Sequence, residues 1–337
     1  MRNIGVMYID GHGVERDYGK AMERSIKAGD AGDTRAMSNI GFMYENGHGV
    51  EQDYGKAMEW YLKASDAGNH NAMGSIGCMY ENGHGVEQHY GKALEWYLKA
   101  SDAGNANAMG SIGFMYDNGL GDEQNYGKAM EWFLKASDAG DDSAIKNIGV
   151  MYDNGQGAPQ DDGKAIEWFL KASNAGNHNA MFNIGVMYEK GRGVQQDDSK
   201  TMEWYLKASD AGSADATFNI GIMYEKGRGV EQDDSNAMEW YLKASDAGKA
   251  NAMNNVGIMY EKGRGVEQDD DQAMDWYLKA SDAGEAMAML SVGNLYRDGK
   301  GIAMDQHQAL EWYIKAHNSG CVEASALMKE MLDEETQ

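Results

Sequence analysis

The chain has little of what an enzyme or a disulfide-stapled secreted domain needs. Its 337 residues include only two cysteines, Cys78 and Cys321, and one proline, Pro159. Lys and Arg number 30 against 54 Asp and Glu, a formal net charge of −24. This deficit of basic residues excludes nonspecific attraction to nucleic-acid phosphates or anionic membranes. No apolar run is long enough for a signal peptide or a membrane span, so a cytoplasmic location is expected. Also missing is any reactive constellation that occurs once, such as a nucleophile beside its base. Every reactive residue type is either multiplied or isolated, which argues against a hydrolase-type enzyme.

What the chain has in abundance is recurrence. The stretch EWYLKASDAG at residues 239–248 returns in near copies, and eight tryptophans, from Trp60 to Trp312, stand 36 residues apart. Such a period marks a tandem array, in which each unit contacts mainly its neighbours. Cutting after each Ala-Gly pair gives a partial repeat (1–32), eight full repeats (33–320) and a polar, acidic tail (321–337) that reads as a capping helix. The whole is expected to be a single domain. The partial repeat starts part-way into a helix, leaving an apolar end that head-to-tail self-association would cover. The 44 glycines recur at fixed places and read as helix stops and turns, not as linker.

Residues 177–212 show the unit. Ala180, Met181, Ile184, Met187 and Tyr188 form a helical apolar stripe. Gly185 interrupts it at a cost of about 0.5–1 kcal/mol relative to alanine; its expected role is close approach of a neighbouring helix, in particular one bearing a bulky Trp. Gly191 and the GRGV turn end this helix, with Val194 tucked inward. Asp197 is the expected N-cap of a second helix, which buries Trp204, Tyr205, Ala208 and Ala211 and presents Glu203 and Lys207 to water as a favourable i,i+4 pair, a spacing that returns as Glu59 with Lys63, Glu95 with Lys99 and Glu239 with Lys243. In a stack with roughly 8–10 Å between helices, Cys78 and Cys321 lie far beyond the ~7 Å limit for a disulfide. Both read as small buried apolar residues in a reducing compartment.

The order Ala, three residues, Ile-Gly, two residues, Tyr, then G-x-G-V, Asp, Ala, Trp-Tyr-x-Lys-Ala and a closing Ala-Gly resembles the Sel-1-like repeat family, relatives of the tetratricopeptide repeats. The resemblance covers nearly the whole chain. It implies an all-α fold, an α-solenoid forming a right-handed superhelix whose first helices line a concave surface. It also implies adaptor roles in protein degradation, signalling or bacterial contact with host cells. The paired cysteines of the cysteine-rich secreted members are missing here, which sets secretion and disulfide stapling apart from this chain.

Positions constant between copies read as structural; positions that drift are free to meet a ligand. The third, sixth and tenth positions of the first helix point away from its core stripe. The sixth reads Ser38, Gly74, Gly110, Lys146, Phe182, Phe218, Asn254, Leu290. Phe182 and Phe218 would form an aromatic anchor, or pack between first helices, as is expected at the tenth position. The seventh reads Asn39, Asn147, Asn183, Asn219 and Asn255, with Asn3 before them and serine elsewhere. Such amides suit the main chain of an extended peptide; equally, they satisfy a neighbouring helix. In the turns, His12, His48 and His84 give way to Arg192, Arg228, Arg264 and Lys300, with Lys190, Lys226 and Lys262 alongside. This basic stripe would receive acidic groups or pair with Glu189, Glu225 and Glu261 on the surface. The histidines, one period apart, do not suit one metal site. The G-x-G turns have no nucleotide-binding strand before them, so no cofactor is expected. The partner expected is a protein or extended peptide, neither nucleic acid nor membrane, with a purely structural or self-assembling role as the alternative.

Overall fold

The computed structural model describes residues 7, 8, 11 and 13–335, with side chains to residue 331. Asn3 and His12, and most of the N-terminal end proposed for self-association, lie outside these. The described residues form eighteen α-helices and no strand. Two compact units divide the chain at Trp168 and Phe169. Unit 1 contains α1 (Tyr18–Asp30), α2 (Thr34–Asn46), α3 (Tyr54–Asp66), α4 (His70–Asn82), α5 (Tyr90–Asp102), α6 (Ala106–Asn118), α7 (Tyr126–Asp138) and α8 (Asp142–Asn154). The boundary falls within α9 (Asp162–Asn174). Unit 2 contains α10 (His178–Lys190), α11 (Asp198–Asp210), α12 (Ala214–Lys226), α13 (Asp234–Asp246), α14 (Ala250–Lys262), α15 (Asp270–Asp282), α16 (Ala286–Asp298), α17 (Gln306–Asn318) and α18 (Glu323–Glu335). Even-numbered helices open a repeat; odd-numbered ones close it.

Caps set these lengths. The Asn177 side chain accepts from the Ala180 N–H to start α10, and Gly191, at φ 64°, stops it in the left-handed region that a Cβ disfavours. Asp197 caps α11 through the Lys200 N–H, as its sequence position led us to expect. The second turn glycine permits a close approach: a Cβ on Gly85 would strike Tyr54, at the start of the closing helix one repeat earlier. Gly121 likewise meets Tyr90 in unit 1 and Gly265 meets Asp234 in unit 2, so these turns lie against the preceding repeat.

The core of each unit is a row of clusters in which closing helices pack with the opening helices beside them, the longest running through α5, α6, α7 and α8. Ala57, Tyr61 and Ala64 of α3 pack with Ala72, Ile76 and Met79 of α4, and Met202, Tyr205 and Ala208 of α11 with Ala216, Ile220 and Met223 of α12. At the end of unit 2, Ala324 and Met331 of α18 cover Leu290, Tyr313 and Ala316.

Two expectations about the closing helix are corrected. The mid-helix glycine does not receive the tryptophan but the aromatic residue after it: a Cβ on Gly221 would stand 2.6 Å from Cδ1 of Tyr241, and one on Gly41 2.6 Å from Cε1 of Tyr61. Tyr205 and Tyr241 are wholly buried, whereas Trp204 and Trp240 are only half-buried. The physical reason is angular, because on a helix adjacent residues lie 100° apart, so both rings cannot point at one glycine. The lysine three residues on lies over the tryptophan, with Lys207 Nζ 4.3 Å from the Trp204 centroid and Lys63 Nζ 4.3 Å from Trp60. The second correction follows. Lys207 also pairs with Glu203 at 2.7 Å, but among the described residues no such ion pair joins Glu59 to Lys63, Glu95 to Lys99 or Glu239 to Lys243, whose lysines are turned onto the indoles.

Candidate functional site

The drifting sixth position decides how open the opening-helix surface is. In unit 2 it is filled: Phe182 stacks on Tyr205 with centroids 5.5 Å apart, Phe218 lies on Tyr241 at 5.6 Å, and Asn254 and Leu290 are buried. The two phenylalanines are half-buried and packed into the inter-helix clusters. In unit 1 the same position includes Gly74 and Gly110, where no ring fills the surface and the polar ends of Asn105 and Asp141 lean over the glycines instead. A cavity of about 490 Å³ opens between α4 and α6, lined by Glu45, Asn71, Ser75, Cys78, Tyr97 and Asn107 among others. A second, of about 260 Å³, lies between α6 and α8, lined by Asn107, Ser111, Phe114, Ser143 and Asn147. Ser111 lines both.

The seventh-position amides serve more than one purpose. In unit 2, Asn219 and Asn255 stand near the hydroxyls of Tyr205 and Tyr241, each in the preceding repeat, and oppose the rise in pKa of those phenols. Ser75 and Ser291 do the same for Tyr61 and Tyr277. Asn147 instead lines the smaller cavity. Asn183 is half-buried, and the Nδ2 of Asn39 is buried without a hydrogen-bond acceptor.

Those tyrosines belong to a longer relay. Tyr205 donates to Oε2 of Glu189 at 2.7 Å, and Arg228 of the following repeat donates to Oε1. One repeat on, Tyr241 donates to Oε2 of Glu225, while Arg264 reaches Oε1 at 2.8 Å and also pairs with Asp234 at 2.8 Å. Next, Tyr277 donates to Oε2 of Glu261, and Lys300 reaches its Oε1 at 3.4 Å. Burial would raise the Glu189 carboxyl, but hydrogen bonds from Arg228 and Tyr205 and the charge of Arg228 outweigh it and hold it below the usual range. Burial and the neighbouring carboxylates push both tyrosine phenols well up. Arg228 and Arg264 thus clamp adjacent repeats together. Arg192 is half-buried at the equivalent turn position, and Lys190, Lys226 and Lys262 are exposed beside the arginines.

Unit 1 closes its turns differently. The imidazole of His48 stacks on Tyr18 at 4.4 Å and that of His84 on Tyr54 at 4.8 Å. Tyr61 and Tyr97 still donate to Oε2 of Glu45 and Glu81, but among the described residues no cation pairs with either acid. Where the closing helix carries Phe133, there is no hydroxyl, and the matching acid is the shorter Asp117. Its partly buried carboxyl is raised by loss of hydration against the charge of Lys146, itself pushed down by burial. Lys146 therefore acts through its charge on a partly buried acid of the preceding repeat.

Several participants are not evident from the sequence. Glu45, Glu81 and Tyr97 occupy constant positions and so read as scaffold. A signal for their pairing was present, since the closing helices with Tyr61, Tyr97, Tyr205, Tyr241 and Tyr277 match a Glu sixteen residues earlier, and those with Phe133 and Phe169 match Asp117 and Asp153. Cys78 corrects another expectation. Cys321 is buried, but Cys78 is exposed on the larger cavity because glycine at the sixth position removes its cover. Its Sγ lies 3.1 Å from the Tyr97 hydroxyl oxygen, to which the thiol donates, because the phenol proton is given to Glu81. Phe42 and Phe114, at the tenth position, are 40% and 46% exposed where interhelix packing was expected; Val186, Ile222 and Ile258 there do pack against core clusters. No helix among the described residues is long and apolar enough to cross a membrane.

Known proteins share the observed repeat. The Sel1 repeat profile matches residues 1–33, 34–69, 70–105, 106–141, 142–177, 178–213, 214–249, 250–285 and 285–321. A Sel1 repeat protein from Oxalobacter formigenes is 28% identical over 98% of this chain and 94% of its own, with a TM-score of 0.74. A protective antigen of uropathogenic Escherichia coli strains, displaying an SLR fold, is 28% identical over 98% of this chain and 79% of its own, TM-score 0.62. Yeast Tom70 shares the fold alone, at 15% identity over 94% of this chain and 62% of its own, TM-score 0.50. Comparison with curated proteins finds no match.

Proposed function

This chain belongs to the Sel1 repeat family, and from that premise we propose that it is a scaffold binding a protein or an extended peptide along the surface of its opening helices. The observation that carries the reading is the pair of polar cavities in unit 1, which share Ser111. There Gly74 and Gly110 replace bulk and Ser75 and Ser111 replace asparagine, while the recurring amides line the open space. A peptide main chain needs both donors and acceptors, and Asn71, Asn107 and Asn147 offer both. Closing-helix side chains, by contrast, repeat with little variation and are committed to the core or to lysine-covered indoles. The net charge of −24 favours partners with basic character and speeds their encounter.

The test is affinity selection from a displayed peptide library on the immobilised full chain, followed by titration of selected peptides against variants. Asn107→Ala with Asn147→Ala is expected to weaken binding by about ten-fold, since each lost hydrogen bond is worth roughly 0.5–1.5 kcal/mol. Asn183→Ala with Asn219→Ala probes the row in unit 2, where Asn219 already serves Tyr205. Peptides that bind all variants as well as the parent would sink the opening-helix reading.

A further inference from the structure

The two units treat the same carboxylate differently, atom by atom. In unit 2, Oε2 of Glu189, Glu225 and Glu261 accepts a tyrosine hydroxyl and Oε1 accepts a cation one repeat along. In unit 1, Oε2 of Glu45 and Glu81 again accepts a tyrosine hydroxyl, from Tyr61 at 2.6 Å and from Tyr97. Among the described residues, Oε1 of each has no partner. The turn positions that would supply the cation hold His84 and Leu120, and His84 is drawn away by its stack on Tyr54. Ring stacking thus replaces the ionic clamp, and a carboxylate held rigid by a buried phenol is left with one oxygen to spare.

That oxygen does not simply face bulk solvent. Glu45 lines the cavity of about 490 Å³ that glycine at position 74 keeps open, and Tyr97, which holds Glu81, lines it too. Glu81 is tied to the rim of that cleft through its bond from Tyr97. An acid held in a fixed geometry suits a planar guanidinium, which presents its N–H donors as a rigid fork, better than a compact ammonium.

We propose that Glu45 and Glu81 each receive an arginine side chain of an extended protein segment, which takes the place that Arg228 and Arg264 of this chain fill in unit 2. The proposal rests on the opening helices being the binding surface and names the chemistry recognised there. The chain thus carries its own precedent: the same Tyr–Glu pair that clamps one repeat to the next in unit 2 becomes, with the clamp removed, a receptor in unit 1.

A fluorescein-labelled glycine–serine peptide carrying two arginines, and its citrulline counterpart, titrated by fluorescence anisotropy against the full chain, test this. The arginine peptide is expected to bind at least about ten-fold more tightly, the scale of a charge-assisted hydrogen bond. Glu45→Gln with Glu81→Gln keeps shape and the tyrosine bonds and is expected to remove that preference. Glu59→Gln with Glu95→Gln removes equal charge from an exposed face and is expected to change it less than about two-fold, as for screened surface charges. His84→Arg, which restores the internal clamp on Glu45, is expected to compete with the peptide and weaken it. Equal affinity for arginine and citrulline peptides overturns the proposal, as does an arginine preference that survives Glu45→Gln with Glu81→Gln. Library-selected peptides that lose binding with Asn107→Ala and Asn147→Ala but show no arginine preference overturn this inference alone and uphold the scaffold reading.

Discussion

A single missing methyl group organises each repeat. The glycine in the middle of the opening helix of each full repeat would cost helix stability in isolation, yet at Gly257 an added Cβ would stand 2.6 Å from Tyr277. We expect Gly257→Ala to destabilise by about 1–3 kcal/mol through overpacking, measured by denaturant unfolding, with much of the loss recovered by Tyr277→Leu. The same geometry reverses the order of importance suggested by the conspicuous tryptophans. Tyr205→Ala is expected to cost about 3–5 kcal/mol as a buried aromatic truncation; Trp204→Ala, at a half-buried ring roofed by Lys207, is expected to cost less. An equal or larger loss for Trp204 would contradict this assignment of the core. Residue type and spacing made both rings visible in the sequence, but which of two adjacent aromatics points at the glycine depends on the phase of one helix against the other.

At the scale of the element, caps were legible and the ties between elements were not. Asn69 caps α4 through the Ala72 N–H and also donates its Nδ2 to the Thr34 carbonyl, one repeat back, at 2.9 Å. Asn105 repeats this with His70 at 3.1 Å. Lys249, at the equivalent position before α14, makes no side-chain cap and holds the previous repeat through Asp215. Lys249→Asn is therefore expected to stabilise unit 2 by about 1 kcal/mol through the new cap, read as a higher denaturation midpoint. No change would mean that the Lys249–Asp215 pair is worth as much as the cap. An N-cap follows from local sequence, since the acceptor and donors lie within three residues. The Nδ2 tie joins residues about one repeat apart and appears only once the helices are stacked.

Across the whole molecule, turn closure changes from rings to charges. Unit 1 holds its turns with His48 on Tyr18 and His84 on Tyr54, unit 2 with Arg228 on Glu189 and Arg264 on Glu225 and Asp234. The consequence is a difference in acid response. The folded Glu189 carboxyl lies below its usual value, so its stabilising contribution is complete above the unfolded pKa, about 4.3, and is lost as pH falls through the folded one. Hydrogen exchange followed from pH 6 to pH 3 should show α10–α12 losing protection as acid is added. Glu189→Gln should start lower and fall less steeply; a parallel pH profile in the variant would remove Glu189 from the acid response.

The sequence by itself determined the period, the all-α class, the helix ends and the acidic surface, because each depends on composition or on interactions within about one helical turn. It exposed the drifting sixth position without saying that glycine there opens a cavity and phenylalanine closes one. Only the tertiary structure decided that Tyr, not Trp, fills the glycine notch, that Asn219 and Asn255 serve tyrosines, and that Arg228 and Arg264 are spent on neighbouring repeats while Glu45 and Glu81 keep a free oxygen. Those outcomes join side chains up to 39 residues apart, and they are set by how one helix is rotated and stacked against the next.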